Sequence, residues 1–209
     1  QRFPDLTLPA GATKKTPFVN ILDPATGTAT FLVEVIEMIH ATLKDKWNEQ
    51  RMSEAQQQAM WNRYVRDHLL ARLHGFELMM APYAVGHLKM GLFLEELSHR
   101  LADDERIRFY LTNTLDTEEM ETSRLPGFSS LAEESQLAGR VKKETSILVI
   151  LGNPPYSGHS SNTGKWIRGL IDDYKQVEGK PLGEKNPKWL QDDYVKFLRF
   201  AQWKIAQAG

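Results

Sequence analysis

Apolar residues along this chain fall into two patterns that take turns. Solid runs at 18–22, 69–78, 107–111 and 147–151 have the length and density of buried strands. Between them the spacing becomes helical. After Phe31 the apolar positions are Leu32, Val35, Ile36, Ile39 and Leu43. Tyr83, Val85, Leu88, Met90, Leu92, Leu94 and Leu97 give an apolar face to a helix with Pro82 in its first turn. Residues 192–206 read as a last amphipathic helix. The polar, Gln-rich stretch 44–66 predicts another helix over 54–67, with Ser53 as its N-cap. Residues 115–137 are acidic and turn-rich and predict a loop with a weak helix. The Gly-, Ser-, Asn- and Lys-rich stretch 157–188 predicts a long loop.

Strands alternating with helices imply parallel βαβ units. The expected class is α/β, a Rossmann-like three-layer fold with a mostly parallel sheet. Open sheets of this kind bind ligands beyond the carboxyl ends of their strands. Four places qualify: residues 23–30, Glu77, Asn113 and residues 153–156.

Composition narrows the chemistry. The chain has 209 residues, 41% hydrophobic and 25% charged, which suits one soluble domain over 1–209. It has no cysteine, which excludes disulfides, thiolate metal sites and cysteine nucleophiles. Its six histidines do not pair at metal-ligand spacing, so no metal is expected. No apolar run approaches a membrane span. The net charge of −1 does not favour nucleic-acid binding by this segment alone. Gln1, Arg2, Phe3 and Pro4 open the chain without an initiator Met or a signal sequence, as in a piece from the middle of a longer protein.

The four strand ends carry distinct chemistry. Asp23, Pro24, Ala25, Thr26, Gly27, Thr28, Ala29 and Thr30 are small or turn-forming residues ahead of Phe31 and a helix. Such a turn lets a ligand approach the backbone and offers free N–H groups, with Asp23 beside a cationic group. Close packing of helix on strand selects the same residues. Glu77 can accept hydrogen bonds from two ribose hydroxyls, or be an exposed acid at a strand end. Asn113 can pair with an adenine edge, or simply form a turn with Thr112 and Thr114.

Asn153, Pro154, Pro155 and Tyr156 are more specific. Two prolines hold the backbone extended, so the Asn153 side-chain oxygen and the Pro154 carbonyl can aim at one point. Two acceptors suit an amino group with two hydrogens. Tyr156 offers a flat face for a planar base. Drawing both hydrogens aside pushes an aromatic amine toward sp3 and frees its lone pair for attack on a sulfonium methyl. Positioning and electrostatics carry the rate, without a strong base.

With these residues the chain resembles the S-adenosylmethionine-dependent adenine-N6 DNA methyltransferases of the gamma motif order. It is most similar to the methyltransferase part of the single-chain Type ISP restriction–modification enzymes. The resemblance runs over 17–206 and rests on ILDPATGTATFL (21–32), GFELMMAPYAVGHLKMGL (75–92), YLTNTL (110–115), GNPPYSG (152–158) and DDYVKFLRFA (192–201). It implies that Asp23, Ala25, Thr26 and Gly27 line the methionine side of S-adenosylmethionine, with Pro24, Thr28 and Phe31 also binding the cofactor. Glu77 then takes its ribose and Asn113 its adenine. Asn153, Pro154, Pro155 and Tyr156 hold the flipped adenine, and residues 192–200 border the base pocket. It also implies a bacterial cytoplasmic enzyme with DNA as partner, and a longer chain with nuclease, helicase-like and target-recognition regions.

Three departures stand out. Ala29 replaces the second glycine of the family's GTG, which costs on the order of 1 kcal/mol if that position needs φ > 0. The gap from Asp23 to Glu77 exceeds the roughly 20 residues of a plain unit, and residues 44–67 read as an inserted or lengthened helix, a spacer with no chemical role. The family's upstream cofactor cap and downstream strands have no counterpart here. The isolated chain is therefore expected to bind DNA weakly and to turn over slowly. Two other readings remain: a protein glutamine-N5 methyltransferase, which also uses NPPY, and a non-catalytic cofactor-binding piece. Trp166, Arg168, Tyr174, Lys175, Lys185, Lys188 and Trp189 interleave aromatic and basic residues as single-strand binders do, although Asp172, Asp173 and Glu184 offset the charge.

Overall fold

The computed structural model describes residues 19–117, 129–156, 160–183 and 188–208. Four strands form one sheet: β1 (Ile21–Asp23), β2 (Leu73–Glu77), β3 (Arg108–Leu111) and β4 (Val149–Ile150). All neighbours are parallel and the order is β3-β2-β1-β4. The chain steps outward from β1 to β3, then returns to the far side of β1. The two directions diverge between β1 and β4, and such a switch point opens a crevice at the carboxyl ends.

Helices cover both faces. On one side lie α1 (Thr30–Glu49), α2 (Glu54–Tyr64) and α4 (Met80–Glu96). A π-helical turn, Val65–Leu69, and the single turn α3 (Leu70–Arg72) link α2 to β2. On the other side lie α5 (Ser129–Glu144), α6 (Lys165–Asp172) and α7 (Asp193–Ala206). A small hairpin of β5 (Gln176–Val177) and β6 (Lys180–Pro181) follows α6. This is the three-layer Rossmann-like α/β arrangement expected. No helix among the described residues is long and apolar enough to cross a membrane.

The period of two in each strand feeds two cores. Phe109 joins Leu32, Ile36, Met90 and Leu94 under α1 and α4. Its neighbour Tyr110 points the other way, with Leu22, Phe76, Ile167 and Phe200. The apolar run at 147–151 is paired more widely than β4 itself. Leu148 N–H donates to the Asn20 carbonyl at 3.2 Å and Leu151 N–H to the Leu22 carbonyl at 3.1 Å.

Several expectations need correction. Residues 44–67 hold the lengthened and inserted helices expected, and they build core as well. α1 runs through Glu49, Ser53 caps α2 in a capping box with Gln56, and Trp47 and Trp61 are buried in the core. The weak helix expected within 115–137 is the start of the longer α5, which begins at Ser129 and gains its place by packing on β3. The stretch after Tyr156 is not one long loop but holds α6 and the hairpin. Its helical face, Ile167 and Ile171, is buried. On α4 the single apolar face is wrong. Gly86, Met90 and Leu94 are buried, while Val85, Leu88 and Leu92 are exposed. Pro17, Phe18, Ser157, Gly158, Glu184 and Lys185 lie outside the described residues.

Candidate functional site

The turn after β1 is built by its own side chains. Asp23 is fully buried and one carboxyl oxygen accepts the Ala25 N–H at 3.1 Å. The other, Oδ2, has no hydrogen-bond partner among the described residues. Burial, opposed by the Ala25 hydrogen bond and aided by the nearby Glu77 charge, pushes the Asp23 carboxyl up to about 7. Thr26 is spent on structure. Its hydroxyl donates to the Asp23 carbonyl at 2.9 Å and its N–H to the Phe76 carbonyl at 2.9 Å. Gly27 and Ala29 both take positive φ, 57° and 62°. Ala29 caps α1 with no side-chain bond, so the helix begins with open N–H groups.

The other strand ends close on this turn. Glu77 accepts the Gly27 N–H at 2.8 Å on one oxygen and the Met79 N–H at 2.7 Å on the other. The Thr114 hydroxyl donates to the Pro24 carbonyl at 2.5 Å. The Asn113 side-chain oxygen accepts the Leu115 N–H at 3.0 Å, which is the turn role open to it in the sequence. Its NH2 group donates to the Asn162 side-chain oxygen at 2.9 Å. After β4, a Cβ on Gly152 would lie 2.6 Å from Asp23 Oδ1. Only glycine lets the Asn153–Pro154 backbone run this close to the buried acid.

A cleft of about 360 Å³ sits where these segments meet. Pro24, Ala25 and Gly27 line it from the first turn, Glu77 from the second, Asn113 from the third, and Asn153 and Pro155 from the fourth. Leu78, Met79, Thr112, Thr114, Asn162, Asp193 and Phe197 complete the wall with Phe76. Asp23 and Thr26 are buried, outside the lining. Thr28, Phe31, Pro154 and Tyr156 are also outside it. Phe31 is half-exposed on α1. Tyr156 is 73% exposed and stacks on Tyr194 of α7, with centroids 4.7 Å apart and planes 16° apart.

Two buried lysines organise the far wall. Lys142 of α5 donates to the Thr112 hydroxyl (2.8 Å), the Asn113 carbonyl (2.7 Å) and the Asp116 carbonyl (2.9 Å). Burial pushes its ammonium down to about 8. Lys196 donates to the Ser160 hydroxyl and the Asn162 carbonyl, each at 2.7 Å, and lies 4.0 Å from Asp193. Asp193 in turn accepts from Ser160 and from the Asn162 NH2. A polar chain thus runs from α7 through Asn162 to Asn113 across the cleft. The sequence hides most of it. Asn162 sits in a polar stretch without pattern, and Lys142, beside Lys143, reads as a solvated helix end. Asp193 had a faint signal, since Asp192 alone caps α7 and leaves a second acid to serve elsewhere.

No protein-family model matches the chain, and no curated protein sequence does. Solved structures do. A nuclease-deletion mutant of the Type ISP restriction-modification enzyme LlaGI, in complex with a DNA substrate mimic, has a TM-score of 0.61 at 23% identity, covering 93% of this chain and 15% of that one. The DrdV–DNA complex has a TM-score of 0.59 at 26% identity, covering 93% and 17%. The ATP-dependent Type ISP restriction-modification enzyme LlaBIII bound to DNA has a TM-score of 0.58 at 22% identity, covering 93% and 12%. The likeness to LlaGI and LlaBIII is one of fold. This chain spans only 12 to 17% of the three solved chains.

Proposed function

We propose that this chain is the cofactor-binding and methyl-transfer core of a restriction–modification enzyme, acting on the N6 amino group of a flipped adenine in DNA. One observation carries the reading. Residues from four separate strand ends, Gly27, Glu77, Asn113 and Asn153, line a single cleft, with a buried, half-bonded Asp23 beneath. The similarity to restriction–modification enzymes solved with DNA supports the choice of substrate.

The residues present fit S-adenosylmethionine. Asp23 Oδ2 is a buried acceptor without a donor, suited to a ligand ammonium. Glu77 has one N–H on each oxygen and keeps further lone pairs for two ribose hydroxyls. Asn113 can turn its amide toward an adenine edge once its NH2 group leaves Asn162. When bound, S-adenosylmethionine supplies a methyl group on a positively charged sulfur. The Asn153 side-chain oxygen and the Pro154 carbonyl accept the two N6 hydrogens and ready the nitrogen lone pair. The proton that N6 sheds after transfer leaves to solvent. Tyr156 offers its exposed ring to the base, which must leave the duplex to reach it.

The test is calorimetric titration with S-adenosylmethionine, followed by single-turnover transfer of labelled methyl to an adenine-containing DNA strand. Glu77→Ala should weaken cofactor binding roughly 10- to 100-fold, the loss of charge-assisted hydrogen bonds. Asn153→Ala should leave cofactor binding intact and abolish transfer. Absence of saturable binding by the folded chain, or transfer by Asn153→Ala at the parent rate, refutes the reading.

A further inference from the structure

A second cavity lies at the opposite end of β3 from the cleft. It is a groove of about 440 Å³ between α5 and the segment that joins α2 to β2. Arg108 opens β3 and faces this groove, whereas Thr112, just past the strand's end, faces the cleft. Four residue steps along the strand separate the two, roughly 13 Å. Nothing in the methyl-transfer chemistry uses the groove.

Its charge is unbalanced. Arg66, Arg106, Arg108 and Arg140 line it, and they come from the π-helical turn, the approach to β3, β3 and α5. Of these, Arg106 is paired with Glu134 and lies 5.4 Å from the Tyr110 ring centroid. Arg66, Arg108 and Arg140 have no carboxylate partner among the described residues. Two acids share the groove. Asp104 is one; Glu105, the other, holds the His99 ring nitrogen and the Ala102 N–H on a single oxygen, each at 3.0 Å. Three guanidiniums without a carboxylate partner face two carboxylates, so the groove keeps a net positive charge that an anion would balance. The π-helical turn that brings Arg66 here is itself a rare element, found often at functional sites.

We propose that this groove is a phosphate-binding site, taking the phosphate groups of a nucleotide either free or within a nucleic-acid strand. Guanidinium forks match phosphate oxygens in pairs and stay charged at any physiological pH. A terminal phosphate carries about −1.5 to −2 at pH 7, more than a carboxylate, and a backbone phosphodiester carries about one charge over two fork-matching oxygens. The groove's floor, with Leu70, Leu137 and Val141, leaves apolar surface for the sugar or base beside it.

Two probes separate the sources: inorganic pyrophosphate and a short single-stranded oligonucleotide, each titrated into the full chain at low and high salt. Saturable, salt-sensitive binding of pyrophosphate assigns the site to a free phosphate, and of the oligonucleotide alone to a strand backbone. For whichever binds, Arg108→Gln and Arg140→Gln should each raise Kd about tenfold. Arg63→Gln, on exposed α2 outside the groove, should leave Kd unchanged. Thermal melting checks that the variants fold, and S-adenosylmethionine titration reports the cleft independently. The proposal fails if neither probe saturates, if the groove variants bind as the parent does, or if polyglutamate binds as tightly as the phosphate probes.

Discussion

Ala29 holds φ 62° and ψ 28°, a left-handed conformation that costs an L-residue about 1–2 kcal/mol relative to glycine. The turn tolerates it because the buried methyl group lies in the core beneath α1 and α4. Its burial returns about 0.8 kcal/mol. Ala29→Gly is therefore expected to leave the melting temperature unchanged or higher, where an ordinary buried Ala→Gly lowers it. Lys142 acts through others. Its ammonium ties three acceptors of the segment that positions Asn113. Lys142→Met keeps the apolar stem but frees that segment. The Kd for S-adenosylmethionine should rise about tenfold, ~1.4 kcal/mol, with the fold retained. An unchanged Kd in calorimetry would show that the segment holds itself.

Helix α4 meets β3 at a point with no spare room. A Cβ on Gly86 would lie 2.4 Å from the Phe109 ring, which is fully buried and stacked at 5.2 Å against His87. Gly86→Ala must push the helix off the sheet or turn the ring, at a cost of about 1–3 kcal/mol. Urea unfolding should read this as a lower midpoint with an unchanged m-value. Helix α2 shows the converse. Its composition is polar, and Trp61, 1% exposed, is its buried residue; Tyr64 packs beside it and Gln58 and Asn62 bond to Ser98 and His99. A few contacts of this kind make a Gln-rich helix core, and periodicity does not register them.

Over the whole molecule, buried ionisable groups set the response to pH. Asp23 is raised from 3.8 to about 7, so between those values the folded chain keeps a proton that the unfolded chain has lost. Its contribution to stability falls as pH rises through that window. His74, fully buried in β2 with neither ring nitrogen bonded among the described residues, is pushed down to about 3 by burial and by Arg108 and Lys204. Its contribution rises with pH up to its unfolded value near 6.5, and the two slopes oppose each other. Asp23→Asn removes one of them. The stability of that variant relative to the parent should grow as pH rises from about 4 to about 7, then level off. Urea unfolding across the window measures it. A constant difference would mean that Asp23 titrates normally in the fold. A cationic ligand group beside Asp23 would lower its pKa, so binding should release a proton in the same window.

The strand runs, the turn residues and a helix cap were legible in the sequence because each depends on neighbours a few positions away. β1 to β4 and the Ser53 cap are all of this kind. So was the location of the cleft, since a parallel sheet opens its crevice at the strand ends whatever the side chains are. Tertiary structure alone decided the rest. That Trp47 and Trp61 are core, that Val85, Leu88 and Leu92 are not, and that Tyr156 rests on Tyr194 depend on which surfaces meet. The links from Lys142 to Asn113 and from Lys196 through Asn162 join residues about 30 positions apart. No local pattern encodes those partners, because burial of a charge is settled only when distant elements close around it.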